Sequence, residues 1–176
     1  YSSDVSTKDD LIEATRALLW ERGYAGTSPA AILEASGAGQ GSMYHHFRGK
    51  ESLALAAIER NTSEISAEIA ADLASADTAV ERIRAYLHRD RDVMKGCQFG
   101  RLAQDADVVG SERLRSAVGE MFAWTRTQVT AVIEAGIANG ELRSDLDPAR
   151  TAAAITATLH GGYVLARAAD DPALVE

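Results

Sequence analysis

Hydrophobic residues recur along most of the chain at spacings of three and four, which is the period of an amphipathic helix. In the first such segment Leu11 and Leu18 fall on one side, and Gly23 follows as a predicted left-handed cap. A Thr7–Asp10 capping pattern predicts that this helix begins near Thr7. No segment alternates convincingly with a period of two, so the sequence predicts an all-α protein.

Three further helices are predicted before residue 75. Thr27 is the expected N-cap of the second, which extends to Ala35 with Pro29 in its first turn, where a missing N–H costs little. A glycine-containing break at 36–39 precedes a short helix, Gln40–His46. The fourth covers Lys50–Leu73, with apolar residues at helical spacing.

The second half of the chain contains three more predicted helices, each with a recognisable start or stop. One is capped by Asp77 or Thr78, one by Ser111, and the last by Asp147 with Pro148 at its first position. The first carries the apolar residues Val80, Ile83, Leu87 and Met94. The apolar line of the second begins at Leu114, and that helix ends near Asn139-Gly140. The apolar line of the third begins at Ile155, and that helix ends at about Ala169.

Bulk composition limits the class of protein. With 176 residues, 46% of them hydrophobic, the chain can bury the core of one or two domains. A single cysteine, Cys97, excludes an intramolecular disulfide and favours a reducing cytoplasm. No uncharged apolar run reaches the roughly 18 residues that a membrane span needs, and the first residues lack the pattern of a signal peptide.

The net charge of −8 argues against nucleic-acid binding if only the total counts. Binding depends on the local surface, however. Residues 35–50 contain no Asp or Glu and include His45, His46, Arg48 and Lys50. The chain therefore has one neutral-to-basic patch on an otherwise acidic protein.

The second and third predicted helices, joined by a short glycine-containing turn, have the pattern of a helix-turn-helix. The third, Gln40–His46, would enter the major groove of DNA. Gln40 and Ser42 have side chains that can reach base edges, and Gly41 permits a close approach.

Other side chains nearby suit contacts with the DNA backbone. Thr27, Tyr44 and His45 can hydrogen-bond phosphates. Lys50 lies at a helix N-terminus, whose dipole also attracts phosphate. Two apolar residues are expected to fix the short helix to its neighbours: Met43 and Phe47.

This region resembles the DNA-binding domain of the TetR family. The motif is Thr27-Ser28-x-x-x-Ile32, then Ser36-Gly37-Ala38-Gly39-Gln40-Gly41-Ser42-Met43-Tyr44-His45-His46-Phe47-x-x-Lys50-Glu51-x-Leu53. Ala38-Gly39 replaces the more usual Val-Ser, and Met43 replaces a commoner leucine. The resemblance implies DNA contacts by the following residues: Thr27, Ser28, Gln40, Ser42, Tyr44, His45 and Lys50.

The resemblance also implies an organisation and an activity. Residues 1–52 would form the three-helix DNA-binding domain, and residues 53–176 a helical effector-binding and dimerisation domain. Family members are usually homodimeric repressors that bind pseudopalindromic operators and respond to an effector. The expected function is that of a sequence-specific transcriptional regulator, released from double-stranded DNA by a ligand.

The C-terminal part is similar to a subfamily of drug-responsive repressors that includes LmrA and YxaF. The similarity lies in Gly96-Cys97-Gln98-Phe99 and in the segment 161–167, and it suggests a hydrophobic or aromatic effector. Seven residues on four predicted helices can line one pocket, although each is also compatible with core packing or a dimer contact: Tyr86, Phe99, Met121, Trp124, Gln128, His160 and Tyr163. We expect Trp124 to stack on the ligand and His160 to orient a polar atom.

A homodimer is expected from the last two helices, because the small residues of 147–169 would let a partner helix approach, Gly161-Gly162 above all. We further expect the ligand to favour a state in which the fourth helix has tilted, so that the two recognition helices no longer match the spacing of the grooves. Ordinary packing within one chain is the alternative reading of the small-residue helix.

Several other functions are disfavoured by the sequence. Adjacent histidines such as His45 and His46 point about 100° apart on a helix and do not converge on one metal ion. Cys97 has no local histidine partner, and no nucleophile–base pair, phosphate loop or cofactor motif is present. We therefore expect no enzyme activity, metal or cofactor. The acidic residues at 105–112 are expected to solvate a loop, and a helical adaptor that no longer binds DNA remains the alternative function.

Overall fold

The computed structural model describes residues 2–175, with side chains from Thr7 onward; the predicted domain limits at residues 1 and 176 lie outside the described residues. The described residues form helices joined by turns and irregular segments, with no strand among them, which confirms the predicted all-α class. The helices are α1 (Ser2–Arg22), α2 (Pro29–Ser36), α3 (Gln40–His46), α4 (Lys50–Ala74), α5 (Ala79–Leu87), α6 (Gln98–Ala103), α7 (Ala106–Gly110), α8 (Glu112–Ala138), α9 (Pro148–Ala169) and a 3₁₀ turn (Pro172–Val175).

Helix ends with a local chemical signal lie where the sequence predicts them. Gly23 has φ 75°, as expected of a left-handed cap after α1. The hydroxyl of Thr78 accepts a hydrogen bond from the Glu81 N–H at the start of α5. At α9 the Asp147 carboxylate accepts from the Arg150 N–H at 3.0 Å. Each cap satisfies a backbone donor that the first turn leaves free.

Four predictions about the helices are wrong. Helix α1 begins at Ser2, so Thr7 lies inside it rather than capping it. Helix α5 ends at Leu87, which leaves Met94 in the following turn. Helices α6 and α7, which the periodicity did not indicate, begin at Gln98 and after Asp105. The fourth error concerns the start of α2, where Ser28 replaces Thr27 as the cap.

The start of α2 shows why neighbouring hydroxyls have different roles. The Thr27 hydroxyl donates to the Gly23 carbonyl at 2.7 Å, so it points back toward the preceding turn. Ser28 has extended backbone angles, and its hydroxyl oxygen accepts from the Ala31 N–H at 3.1 Å. A residue must leave the helix with extended angles to act as an N-cap, and that condition is met at Ser28.

The described residues form two compact units. The first contains residues up to Ser63 together with Gln98–Gly119, and the second contains Glu64–Cys97 together with the residues from Glu120 onward. The division falls inside α4 and inside α8. Since the first unit takes a segment from far along the chain, the predicted split at 52/53 stays a prediction about function and does not describe the packing.

Each unit has an apolar core. In the first, the residues with no exposed surface include Leu11, Ile32, Met43, Leu53 and Leu114; in the second, the buried residues include Tyr86, Val129, Ile133, Ala152 and Ala166. Burying one such Leu or Ile side chain contributes about 1.5–3 kcal/mol, so these cores hold the short helices in place. Among the described helices, none combines the length and apolar character needed to cross a bilayer.

Candidate nucleic-acid interface

Helices α2 and α3 form a helix-turn-helix in the first unit. Gly37, with φ 68°, ends α2 in the left-handed conformation that glycine adopts without steric cost. Gly39 returns to extended angles, and its carbonyl accepts from the Ser42 N–H at 3.0 Å and the Met43 N–H at 3.2 Å. The turn of three residues therefore redirects the chain and immediately starts a new helix.

The short helix α3 has one buried side and one exposed side. Met43 is fully buried and Phe47 is 6% exposed, which confirms their predicted role as apolar anchors. Helix α1 packs against both α2 and α3. A helix of seven residues is too short to be stable alone, so these two anchors fix its orientation.

The polar side chains predicted to touch DNA lie on the exposed side of this motif. Gln40, Gly41, Tyr44 and His45 are exposed, and Ser42 is half-buried. The space around Gly41 is open, because a Cβ added there would have no neighbour within 4 Å. The first turn of α3 can therefore approach base edges without any other residue of this unit having to move.

Lys50, the first residue of α4, lies against an aromatic ring. Its Nζ lies 3.9 Å from the centroid of the Tyr24 ring, a cation–π contact. Burial lowers the pKa of Lys50, and the carboxylates of Asp107 and Asp105 act in the opposite direction. The ring positions the ammonium at the N-terminal end of α4, where the helix dipole also attracts a phosphate.

Thr27 does not have the role that the family motif implies. Its side chain is fully buried and its hydroxyl is bonded to the Gly23 carbonyl. In this conformation the hydroxyl has no access to a phosphate, so Thr27 joins the end of α1 to the start of α2 instead. Ser28 remains exposed, and its hydroxyl can still donate to a phosphate while its oxygen accepts the cap bond.

The acidic segment after α6 does more than solvate a loop. Asp105 caps α7, accepting from the Asp107 N–H at 3.0 Å, and its second oxygen accepts from the Ala25 N–H at 2.8 Å. In the same unit Arg113 pairs with Glu51 at 2.9 Å. The sequence reasoning missed these contacts because their partners are 80 and 62 positions apart.

A second network joins α1 to α4. Arg60 pairs with Asp9 at 2.7 Å and with Glu13 at 3.0 Å. Arg16 also pairs with Glu13, and its Nε donates to the buried Asn61 at 2.5 Å. Burial would raise the pKa of Glu13, but the hydrogen bonds from both arginines leave it below its usual range. These bonds connect the DNA-binding helices to the long helix that leads into the second unit.

The residues predicted to bind an effector fall into three groups. Tyr86, His160 and Tyr163 are close together in the second unit, with the His160 and Tyr163 ring centroids 6.0 Å apart. A second group shares one face of α8 at helical spacing: Met121, Trp124 and Gln128. Phe99 is buried in the first unit. A ligand contact by any of the seven stays a prediction.

Two residues beside this group were not predicted from the sequence. The Phe122 ring lies 5.0 Å from the His160 ring, and the guanidinium of Arg91 lies 5.4 Å from the Tyr86 ring centroid. Periodicity assigned no role to either, because Arg91 lies in an irregular segment and Phe122 sits beside the predicted Met121. Trp124 and His160 make no ring contact with each other among the described residues.

The rings of the two adjacent histidines of α3, His45 and His46, are in contact with each other. Their ring centroids are 5.0 Å apart, edge to face. In the part of the chain that the structure describes, no three His, Cys, Asp or Glu side chains are grouped as metal ligands.

Comparison with known proteins decides the family. The model for bacterial regulatory proteins of the tetR family matches residues 11–57, and that for the tetracyclin repressor-like C-terminal domain matches residues 73–176. The chain belongs to the TetR family. LmrA of Bacillus subtilis is 26% identical over 90% of this chain and 85% of that protein, and YxaF of the same organism is 27% identical over 77% and 74%.

A solved TetR regulator has the same fold. The crystal structure of a TetR transcriptional regulator from Chloroflexus aurantiacus is 30% identical to this chain, with a TM-score of 0.90 over 99% of this chain and 91% of that one. The predicted family, and its predicted similarity to LmrA and YxaF, are confirmed. This TetR-family chain is a DNA-binding transcriptional regulator with a helix-turn-helix at α2–α3.

Proposed function

We propose that this TetR-family regulator is a homodimeric repressor that a small molecule releases from a pseudopalindromic operator. Gln40, Gly41 and Ser42 read base edges in the major groove, while the exposed residues around them bind phosphates: Ser28, Tyr44, His45 and Lys50. The observation that carries this assignment is the two-sided α3, whose polar first turn is exposed while Met43 and Phe47 anchor it. Thr27 is left out because its side chain is buried.

The proposed dimer uses the exposed face of α9, with α8 beside it in sequence. Val164 and Leu165 are 56% and 62% exposed, which is unusual for large apolar side chains on a helix. A Cβ added at Gly161 would have no neighbour within 4 Å, so a partner backbone has room there. Gly162 differs, since its Cβ would lie 3.4 Å from Val175 of the same chain. Gly161 is therefore the glycine that a partner helix would approach.

Release by a ligand would act through α4. This helix begins at Lys50, a proposed phosphate contact, and extends to Ala74 in the second unit. A ligand that binds more tightly to a state with α4 tilted would change the distance between the two recognition helices of the dimer. That distance would then no longer match the spacing of successive major grooves, about 34–36 Å. It can shift the equilibrium only by its differential affinity for the two states.

The deciding experiment is enrichment of a random duplex pool on the purified protein at physiological salt, followed by sequencing. An inverted repeat with half-sites about one helical turn apart supports a sequence-specific dimer. Binding that shows no sequence preference and falls steeply with salt supports instead the adaptor that no longer reads DNA. A binding assay on the enriched duplex then provides the readout for effectors.

The proposal includes neither catalysis nor a cofactor. Members of this family are transcriptional regulators, and the sequence contains no nucleophile–base pair, phosphate loop or cofactor motif. A cytoplasmic location is proposed together with the operator function, because genomic DNA lies there in bacteria.

A further inference from the structure

The segment after α5 folds back over the end of that helix and places Arg91 beside Tyr86. The Nη1 of Arg91 donates to the carbonyls of Leu87 at 2.7 Å and Arg89 at 3.4 Å. Its Nη2 donates to the Tyr86 carbonyl in a short hydrogen bond. These carbonyls belong to the last turn of α5 and the residues after it, where a cation is favoured by the helix dipole. The guanidinium is therefore fixed in position.

One edge of this guanidinium is unused. Among the described residues, Nε makes no hydrogen bond, and Nη2 makes one of its two. The Nε–H and the second Nη2–H together form the flat, two-pronged edge that matches a carboxylate. The three backbone bonds thus hold the group and leave a complete anion-binding edge available.

Arg91 also lacks an acidic partner, in contrast to its neighbour. Arg89 pairs with Glu68 at 3.2 Å and Asp72 at 3.5 Å. No carboxylate of the described residues pairs with Arg91. Burial lowers the pKa of Arg91, so keeping the cation there is costly. The charge of Asp72 acts on Arg91 without forming an ion pair with it. Charges taken out of water are ordinarily paired directly, and the absent direct counter-ion is the observation that points to a bound anion.

The electrostatic neighbours of Arg91 include three polar side chains that each have an atom without a hydrogen bond. Tyr86 and Tyr163 are 2% and 7% exposed, yet neither phenol makes a hydrogen bond within the described part of the chain. The buried Nδ1 of His160 has no hydrogen-bond partner either. An unpaired buried nitrogen such as His160 Nδ1 is uncommon in a packed core, and the two phenol hydroxyls are available to bond a ligand.

The protonation states of these groups suit an anion. Burial raises the pKa of Tyr86 to about 12 and also raises that of Tyr163, so both phenols keep their protons. Burial, with the nearby charge of Arg91, lowers the pKa of His160, so the imidazole is neutral near pH 7. Two O–H donors therefore lie near the cation, the neutral imidazole adds a third polar group, and Phe122 adds an apolar wall against His160.

We propose that the Arg91 cluster, defined as Arg91, Tyr86, Tyr163 and His160, binds the carboxylate of a small organic acid with an aromatic or other apolar body. This inference rests on the proposed ligand-released repressor, because it names the chemical class of its effector. Arg91 would hold the carboxylate through its Nε–Nη2 edge, the two phenols would donate to the carboxylate oxygens, and Phe122 would contact the apolar body.

The test uses the full-length chain and matched pairs of probes: benzoate, cinnamate and hexanoate, each against its uncharged primary amide. Affinity is measured by calorimetry at low chloride, and operator binding is measured separately on the enriched duplex. We expect at least one acid to bind and its amide to bind at least about tenfold more weakly, since charge-assisted hydrogen bonds contribute about 1.5–3 kcal/mol. Equal affinity for acid and amide, or no binding by any of the three acids, overturns the proposal.

Variants locate the site. Arg91→Gln should weaken the acid about tenfold or more, whereas Arg150→Gln, an exposed arginine on α9, should leave its affinity unchanged. Because Arg91 also holds the end of α5, Tyr163→Phe and Tyr86→Phe provide tests that remove one hydroxyl each and keep the ring. Each should weaken the acid about threefold to tenfold. The cluster is ruled out if both phenylalanine variants bind the acid with wild-type affinity and Arg91→Gln either unfolds or also binds it with wild-type affinity.

The two proposals fail in different ways. If an acid binds in an Arg91-dependent manner and the operator stays bound, the cluster stands and ligand release does not. If uncharged amides release the operator while the acids do not bind, ligand release stands and the anion site does not.

Discussion

Asp105 accepts a hydrogen bond from the backbone N–H of Ala25 at 2.8 Å, although the two residues are 80 positions apart. Ala25 lies in the turn between α1 and α2, directly before the helix-turn-helix. The same carboxylate caps α7 through its other oxygen. The α6–α7 segment is thereby bonded to the turn that precedes α2, and Glu51–Arg113 adds a second link within this unit.

We predict that Asp105→Ala lowers the free energy of unfolding by about 2 kcal/mol, through loss of a cap worth about 1 kcal/mol and of the Ala25 bond. Asp147→Ala, which removes a cap of α9 without a contact to the DNA-binding helices, should cost only the cap. Urea denaturation measures both. Operator affinity should fall for Asp105→Ala alone, and equal effects of the two variants on stability and DNA binding would refute the link.

Substitution of Gly41 by alanine separates fold from DNA binding. A Cβ there enters open space, and alanine is favoured over glycine within a helix by about 1 kcal/mol. Gly41→Ala should therefore keep or raise the melting temperature and still weaken operator binding, because the added methyl lies where DNA approaches. Gly119→Ala on α8, also open, is the control. Wild-type operator affinity in Gly41→Ala would show that this backbone does not approach the bases.

Phosphate and base contacts should respond differently to mutation. Lys50→Ala and Tyr44→Phe should weaken cognate and scrambled DNA alike, and Lys50→Ala should reduce the slope of log affinity against log salt by about 1. Gln40→Ala should instead relax the preference at one base pair, at a cost of about 1–3 kcal/mol. The measurement is a salt titration on both duplexes, with the exposed Lys95→Ala as control. Uniform losses for all three variants would contradict this division.

His160 should make stability depend on pH. Burial, followed by the charge of Arg91, lowers its pKa in the folded chain below 6.5. The unfolded chain therefore takes up the proton first as the pH falls, and folding loses up to about 1.4 kcal/mol per pH unit below 6.5 until the folded pKa is reached. Urea denaturation between pH 7.5 and 5 should show this loss, and His160→Gln should remove it.

The matched control for that pH experiment is His88→Gln, at an exposed histidine, which should retain the wild-type dependence. If His160→Gln keeps the full loss of stability between pH 7.5 and 5, the buried imidazole is not its source.

Leu165 provides a test of the dimer. Glutamate in its place would put a charge in the proposed apolar interface, where an unpaired buried charge is costly. Leu165→Glu should therefore sediment as a monomer at micromolar concentration, with operator affinity reduced. Val80→Glu, also at an exposed apolar position, should stay dimeric. A dimer in the Leu165 variant, or a monomeric wild-type chain, would exclude α9 as the interface.

The sequence by itself determined the helix ends that carry a cap or a glycine break, the recognition motif and the family. Helix α3 has the predicted limits, and α9 begins after Asp147 as predicted, because caps, glycine breaks and apolar periodicity act within a few residues. The anchors Met43 and Phe47 were predictable for the same reason, since their neighbours in the motif fix which side of a short helix is buried.

Only the tertiary structure decided which polar groups meet. It buried Thr27, joined Asp105 to Ala25, and placed Arg91 beside two phenols without an ion-paired carboxylate. These contacts depend on how separate helices pack, and no local pattern encodes a partner tens of residues away. Hydrophobic periodicity specifies which face of a helix is buried, whereas the partner of a buried charge is set by the packing of the whole unit.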